Sequence, residues 1–204
     1  MTKLNAAIQA GNVPDITTGA PHKVLSYYPN NPYYDVTDIV NQIDIKRPIF
    51  ISMKDGTKVA GKNYFVPYTS SSAMLFLRKD IFDAKAVRYP STWDELFEAA
   101  KKVSDPAKGI YGFGMGCGPT DEDGENTFQM ILWSQGGSIF DKAGNVVIRQ
   151  SKEAKNMLAK YKELFDSKSI PPAAVTWSPS GNNKSYLTGE SAMVFNAPTL
   201  YNAL

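Results

Sequence analysis

Hydrophobic positions along this chain fall into stripes of helical period and short apolar runs, separated by polar, Gly-rich and Pro-rich breakers. The clearest stripe is Trp93, Leu96, Phe97, Ala100 and Val103. It follows Pro90-Ser91-Thr92-Trp93-Asp94-Glu95, in which Thr92 and Glu95 have the spacing of a capping box. A second stripe, Phe128, Ile131, Leu132 and Gln135, predicts a helix that opens at Glu125 or Asn126 and closes at Gly136-Gly137. A third, capped by Ser151, puts Met157, Leu158, Tyr161, Leu164 and Phe165 on its inner face and stops at Pro171-Pro172. Near the start, Leu4, Ala7 and Ile8 share one helical face, with Gly11 as C-cap. Val36 to Ile43 reads as a short helix or turn.

Strand readings lie between these stripes. Val13-Pro14-Asp15-Ile16 predicts a short buried strand, and Tyr64 to Tyr68 an edge strand, because Pro67 lacks a donor. The apolar run Ala73 to Leu77 predicts a strand buried on both faces. Ile110 to Phe113 and Ala192 to Phe195 complete the set. Lys54 to Asn63 reads as a polar loop, Ser138 to Arg149 as a hairpin turning at Lys142 to Asn145, and the stretch after Pro172, with Gly181-Asn182-Asn183, as a loop. Strands and helices are interspersed, which predicts α/β layering.

Composition narrows the chemistry. The 204 residues are 43% hydrophobic and 21% charged, enough for a buried core, and 22 basic against 20 acidic residues leave a net charge of +2. No basic stripe serves a phosphate backbone, so nucleic acid is not an expected partner. One cysteine, Cys117, and one histidine, His22, supply neither an internal disulfide nor a His/Cys metal site. Cys117 reads as a buried thiol, His22 as a loop histidine, and Trp93 and Trp133 as structural. No catalytic residue, cofactor or metal is expected. Met1 to Asn5 contains no apolar run of signal-peptide length, and no stretch reaches membrane-spanning length.

Five segments in order carry a family likeness: Ala10-Gly11-Asn12-Val13-Pro14-Asp15, Val66-Pro67-Tyr68, Leu77-Arg78-Lys79-Asp80-Ile81-Phe82, Pro90 to Glu95, and Gly189-Glu190-Ser191-Ala192-Met193. Together they resemble the extracellular solute-binding proteins of ABC importers, in the group that includes the maltose-binding proteins. The resemblance implies an α/β fold of two lobes, periplasmic-binding-protein type II-like and incomplete here, cut short at both ends. It implies a partial N-lobe over 1–70, a hinge crossover at 71–75, a partial C-lobe over 76–192 and a return crossover toward the N-lobe over 193–204. It also implies a monomer that captures a neutral sugar or polyol between its lobes and delivers it to the importer's membrane subunits. The implied location is periplasmic or extracellular, with lipid anchoring as one form of attachment.

A sugar cleft pairs aromatic platforms with carboxylate and amide side chains. On that logic the candidate ligand-binding residues are Tyr68, Asp123, Glu125, Asn126, Trp177 and Asn196. Tyr68 ends a predicted strand, where open α/β sheets hold ligands. Asp123, Glu125 and Asn126 lie in the acidic loop 118–126, although acidic residues at a helix start also complement its dipole. Trp177 is a loop tryptophan outside any stripe, either a sugar platform or a lid over the core. One residue of Tyr27-Tyr28 or Tyr33-Tyr34 is a further cleft candidate. Asn196 precedes Ala197-Pro198-Thr199, where the maltose-binding group often has Gly and an aromatic around the Pro; Thr199 cannot stack, which argues against a maltodextrin grip there. The rivals are a carbohydrate-active enzyme using paired carboxylates such as Asp123 and Glu125, a polyamine-binding protein drawn to the acidic loop, and an interaction fragment without transport function. The sparse Arg set, Arg47, Arg78, Arg88 and Arg149, favours a neutral ligand over an anion.

Overall fold

A computed structural model describes residues 2–19, 26–27 and 32–204. The chain divides into two units, Met1–Ser70 and Ser71–Leu204. His22, Tyr28, Pro21, Pro29 and most of the Pro-rich loop read from the sequence lie outside the described residues.

In the first unit, α1 (Thr2–Gln9) ends as its sequence predicts. Gly11 takes φ +69°, and the Asn12 and Gly11 N–H groups donate to Ala7 and Ile8 carbonyls, which satisfies the last turn. The Pro-rich stretch leads to α2 (Thr37–Lys46) and α3 (Ile51–Gly56). A two-strand hairpin follows, β1 (Lys58–Val59) with β2 (Lys62–Asn63), turning through Ala60 and Gly61 at positive φ. Asn63 ties these pieces together. Its backbone exchanges hydrogen bonds with Thr37 Oγ1 (2.9 Å) and Val36 N (2.8 Å), and its amide donates to Thr57 Oγ1 (2.8 Å).

Three expectations change here. The polar loop at 54–63 is the end of α3 plus the hairpin. Neither Val13–Ile16 nor Tyr64–Tyr68 is a strand. A strand needs a neighbour for its N–H and C=O groups, and Pro14 and Pro67 each remove a donor. Val13 and Ile16 are exposed instead of buried, Ile16 at 85%.

In the second unit, β3 (Met74–Leu77) pairs antiparallel with β4 (Met193–Asn196), Met74 facing Asn196 and Leu77 facing Met193. The segments 71–75 and 193–204, expected as crossovers, thus meet side by side. Against the other edge of β4 runs an extended segment: Tyr111 N donates to Glu190 O, and Ala192 N to Tyr111 O, both at 2.8 Å. Gly114 N donates to Met193 O at 2.8 Å. The predicted strand at 110–113 is therefore a bridged segment, not a full ladder. Met74 is 46% exposed, so β3 is not buried on both faces; among the described residues it has a single strand neighbour.

Helices cover this sheet: α4 (Lys79–Ala84), α5 (Trp93–Val103), α6 (Glu122–Ser134), α7 (Lys152–Asp166) and α8 (Gly181–Leu187). The Thr92 cap forms, with Glu95 N donating to Thr92 Oγ1 at 3.2 Å, while Glu95 Oε2 accepts at 2.7 Å from Ser91 N, one residue before the cap. Ser151 caps α7 by accepting from Ala154 N at 3.0 Å. Phe97, Ile131, Met157 and Leu164 fill the core between α5, α6 and α7, and Tyr161 meets Phe97 and Phe128 edge-on at 6.3 Å. Each such fully buried apolar side chain contributes about 1.5–3 kcal/mol. Trp93 lies 4.7 Å from Phe195, ring centre to ring centre.

The helix bounds depart from expectation in definite ways. α6 opens at Glu122, because Asp121 rather than the later acidic residues is its cap. α7 ends at Asp166, before the prolines, where Lys168 takes φ +54°. Leu158 and Trp133 face outward, 54% and 57% exposed. α8 replaces a predicted loop.

Candidate functional site

The carboxyl end of β4 and the first turns of α6 and α8 converge in the second unit. Carboxyl ends of strands and helix N-termini are where α/β folds hold ligands. Asp121 sets the α6 turn. It is 5% exposed, and its Oδ1 accepts from Asp123 N and Gly124 N, both at 3.1 Å. Two residues on, Asp123 reaches α8, where its Oδ2 accepts from Asn182 Nδ2 at 3.1 Å. The same amide donates to Phe195 O, the penultimate carbonyl of β4, at 3.2 Å. Asn182 Oδ1 accepts from Asn183 N at 2.8 Å. Asn183 Oδ1 in turn accepts from Asn196 Nδ2, and Asn196 Oδ1 accepts from Ala197 N at 2.8 Å.

The result is a continuous polar chain, Asp123–Asn182–Asn183–Asn196, across three elements. Asn182 and Asn196 are buried, 3% and 5% exposed, and each amide has found partners, as burial demands. Asp123 is half-buried. Burial lifts its carboxyl above the usual range, the Asn182 hydrogen bond pulls it down, and Asp121 and Glu122 push it up further. Nothing in this arrangement sets up a nucleophile. The nearby Cys117 thiol is pushed up to about 11, chiefly by burial and then by Asp121, and its Sγ faces Met115 O at 3.6 Å.

The other candidates fall in different settings. Trp177 caps a 3₁₀ turn (Pro172–Thr176) and is half-buried against the core, with its ring beside Gly181 of α8. Glu125 and Asn126 lie on the exposed side of α6, outside the polar chain, and Glu125 Oε1 accepts from Gln129 Nε2 at 2.9 Å. Tyr68 belongs to the first unit. It is 72% exposed and borders a hollow of about 320 Å³ shared with Met53, Thr57, Phe65, Pro67 and Ser70.

Sequence reasoning missed Asn182 and Asn183. The available signal was Ser180-Gly181-Asn182-Asn183 ahead of Tyr186-Leu187, a polar helix start. It is hidden because the inward face of α8 is itself largely polar: Asn182, Ser185 and Tyr186 are its buried residues. No hydrophobic stripe marks such a helix.

A solute-binding protein of Agrobacterium radiobacter K84, solved in complex with ribitol, is 27% identical, with a TM-score of 0.81 over 98% of this chain and 50% of that one. A solute-binding protein of Thermotoga lettingae, bound with α-D-tagatose, is 22% identical with a TM-score of 0.85, over 98% of this chain and 52% of that one, and shares the fold. The mannitol-binding protein of Pseudomonas aeruginosa is 35% identical over 63 residues, 30% of this chain and 14% of that protein. The chain thus spans about half the length of the solved chains it matches. These neighbours are two-lobed binding proteins, and the present chain is a part of that α/β architecture. The family model for bacterial extracellular solute-binding proteins matches residues 1–204, so the chain belongs to that family.

Proposed function

We propose that this chain is the solute-capturing part of an ABC importer's binding protein and that its solute is a neutral polyol or sugar. The observation that carries the reading is the family match along residues 1–204. Two relatives narrow the solute class, since one is solved with ribitol and the other is named for mannitol. A polyol presents a row of hydroxyls that both donate and accept. Asp123 supplies an acceptor, and the amide of Asn196 supplies both functions. Trp177 gives an apolar surface for the C–H face of the ligand. Hydrogen bonds to a charged group contribute about 1.5–3 kcal/mol each, so a few of them approach the roughly 8 kcal/mol of a micromolar complex.

Capture works by differential contact. A ligand touching both lobes favours the closed form by the contacts made only there, and the membrane subunits respond to closure. Tyr68, beside the hollow of the first unit, is a further candidate for ligand contact. Residues 71–75 and 193–204 are the segments assigned to the turning motion. The protein acts as a monomer in the periplasm or at the outer cell surface.

Calorimetric titration with ribitol, D-mannitol, maltose and spermidine tests this reading, with chromatography of each ligand afterwards. The expected outcome is saturable binding of a polyol, recovered unchanged. Binding of spermidine alone would move the assignment to polyamines, and cleavage of maltose would replace the carrier by an enzyme.

A further inference from the structure

Three candidate ligand residues, Trp177, Asp123 and Asn196, come from three distant stretches of the chain. All three touch the same three-residue segment, the first turn of α8. Gly181 lies against the Trp177 ring: a Cβ built on Gly181 would stand 2.4 Å from Trp177 Cγ and 2.8 Å from Cδ2. Asn182 holds the Asp123 carboxylate at 3.1 Å and the Phe195 carbonyl at 3.2 Å with one amide nitrogen. Asn183 accepts from the Asn196 amide. Gly118 packs on the backbone of the same residue, since a Cβ there would stand 2.3 Å from the Trp177 carbonyl oxygen.

We propose that Gly181-Asn182-Asn183 is the positioning segment of the solute site, fixing the Trp177 ring, the Asp123 carboxylate and the Asn196 amide relative to one another. The functional half of this statement rests on the solute-binding reading above; the geometric half does not. Each residue acts through another side chain. Gly181 works by lacking a Cβ, so the indole packs directly on the helix backbone and cannot rotate toward it. Asn182 works by reach. Its Nδ2 bridges a helix start and a strand end, so a displacement of either is passed to Asp123. Asn183 couples the same turn to the last residue of β4. Positional error of an ångström in such a set is costly, which makes a rigid helix turn a better support than a loop.

The test uses the intact chain in ¹⁵N NMR, where the tryptophan indole N–H signals are resolved and Trp177 is assigned by its loss in Trp177→Phe. Gly181→Ala is expected to shift the Trp177 indole signal by more than its linewidth and to weaken ribitol or D-mannitol binding about tenfold or more. Asn182→Ala is expected to move the Asn196 side-chain amide signals and to weaken binding by a similar factor. Gly136→Ala is the control. Gly136 sits at φ +80° with open space around its Cα, so alanine strains the backbone without touching the site, and both signals and affinity should stay as in the wild type.

The inference is overturned if Gly181→Ala leaves the Trp177 indole signal in place, or if both site variants bind the polyol as tightly as the wild type. If the wild type binds neither polyol, the functional reading fails, and the indole and amide shifts still decide the positioning claim. If Gly181→Ala does not fold, the double variant Gly181→Ala with Trp177→Gly is expected to fold again, because the clashing atoms are gone; failure of that rescue also overturns it.

Discussion

At the scale of single residues, the site carries charge where burial resists it. The Asp123 carboxyl is raised first by burial, then by Asp121 and Glu122, against the pull of Asn182. The native state therefore holds this proton more tightly than the unfolded chain. Between the ordinary carboxylate value and the raised native value the native state binds more protons, so this group adds stability as pH falls through the native value. The gain is complete below the unfolded value, about 4, and the stability is lost as pH rises. Asp123→Asn keeps an acceptor for Asn182 and removes the titration. Its melting temperature at pH 7 is expected to be no lower than that of the wild type, with the difference narrowing toward pH 4. A series of melts by circular dichroism checks this, and a deficit at every pH counts against it. Asp121 acts as a helix cap. Its Oδ1 caps two N–H groups, while its Oδ2 is buried and has no hydrogen-bond partner among the described residues. Asp121→Ala is expected to cost about 1–2 kcal/mol in urea unfolding, nearer the lower figure because the unpartnered oxygen leaves with the cap. Asp123, Trp177 and Asn196 stand out in the sequence as candidates by residue type and context, and the structure brings all three against the first turn of α8. Their common contact was not legible, because Asn182 bonds Asp123 across 59 positions of sequence.

At the scale of elements, what could be read depended on whether a segment carries its own signal. α5 was legible from cap to end because Thr92, Glu95 and its apolar stripe are all local. Thr92→Ala should therefore cost about 1 kcal/mol of stability with no effect on solute affinity, which urea unfolding alongside calorimetry would show. α7 was legible in its cap, where Ser151 accepts from Ala154 N, yet its end was placed too late because prolines drew the boundary. α8 was invisible for the reason that makes it useful: it buries one amide, a serine hydroxyl and a single tyrosine instead of an apolar stripe. The false strands, Val13–Ile16 and Tyr64–Tyr68, have strand-like composition, but strand formation is a property of pairs, and a single sequence does not supply the neighbour.

At the scale of the whole molecule, the two units differ in how much they bury. Phe82, Phe113, Ile131, Leu132 and Met157 are among the many fully buried side chains of residues 71–204. Among the described residues of 1–70, Val40 is the one buried apolar side chain. The same stretch exposes Ile16, Ile45, Phe50, Ile51 and Tyr68, each above 70%. Its order rests instead on polar ties such as Asn63 with Thr37 and Thr57, and Asp44 with Lys54 and Ile49 N. Net hydrogen-bond contributions of about 1 kcal/mol each do not offset the ordering entropy of some seventy residues. Residues 71–204 expressed alone should therefore melt cooperatively within about 5 °C of the main transition of the whole chain. Residues 1–70 alone should show no sigmoidal transition and should bind a hydrophobic dye such as ANS, because their apolar side chains lack a cover. A steep, independent melt of 1–70 would mean that this unit holds a core of its own, and the contrast between the two units would have to be abandoned.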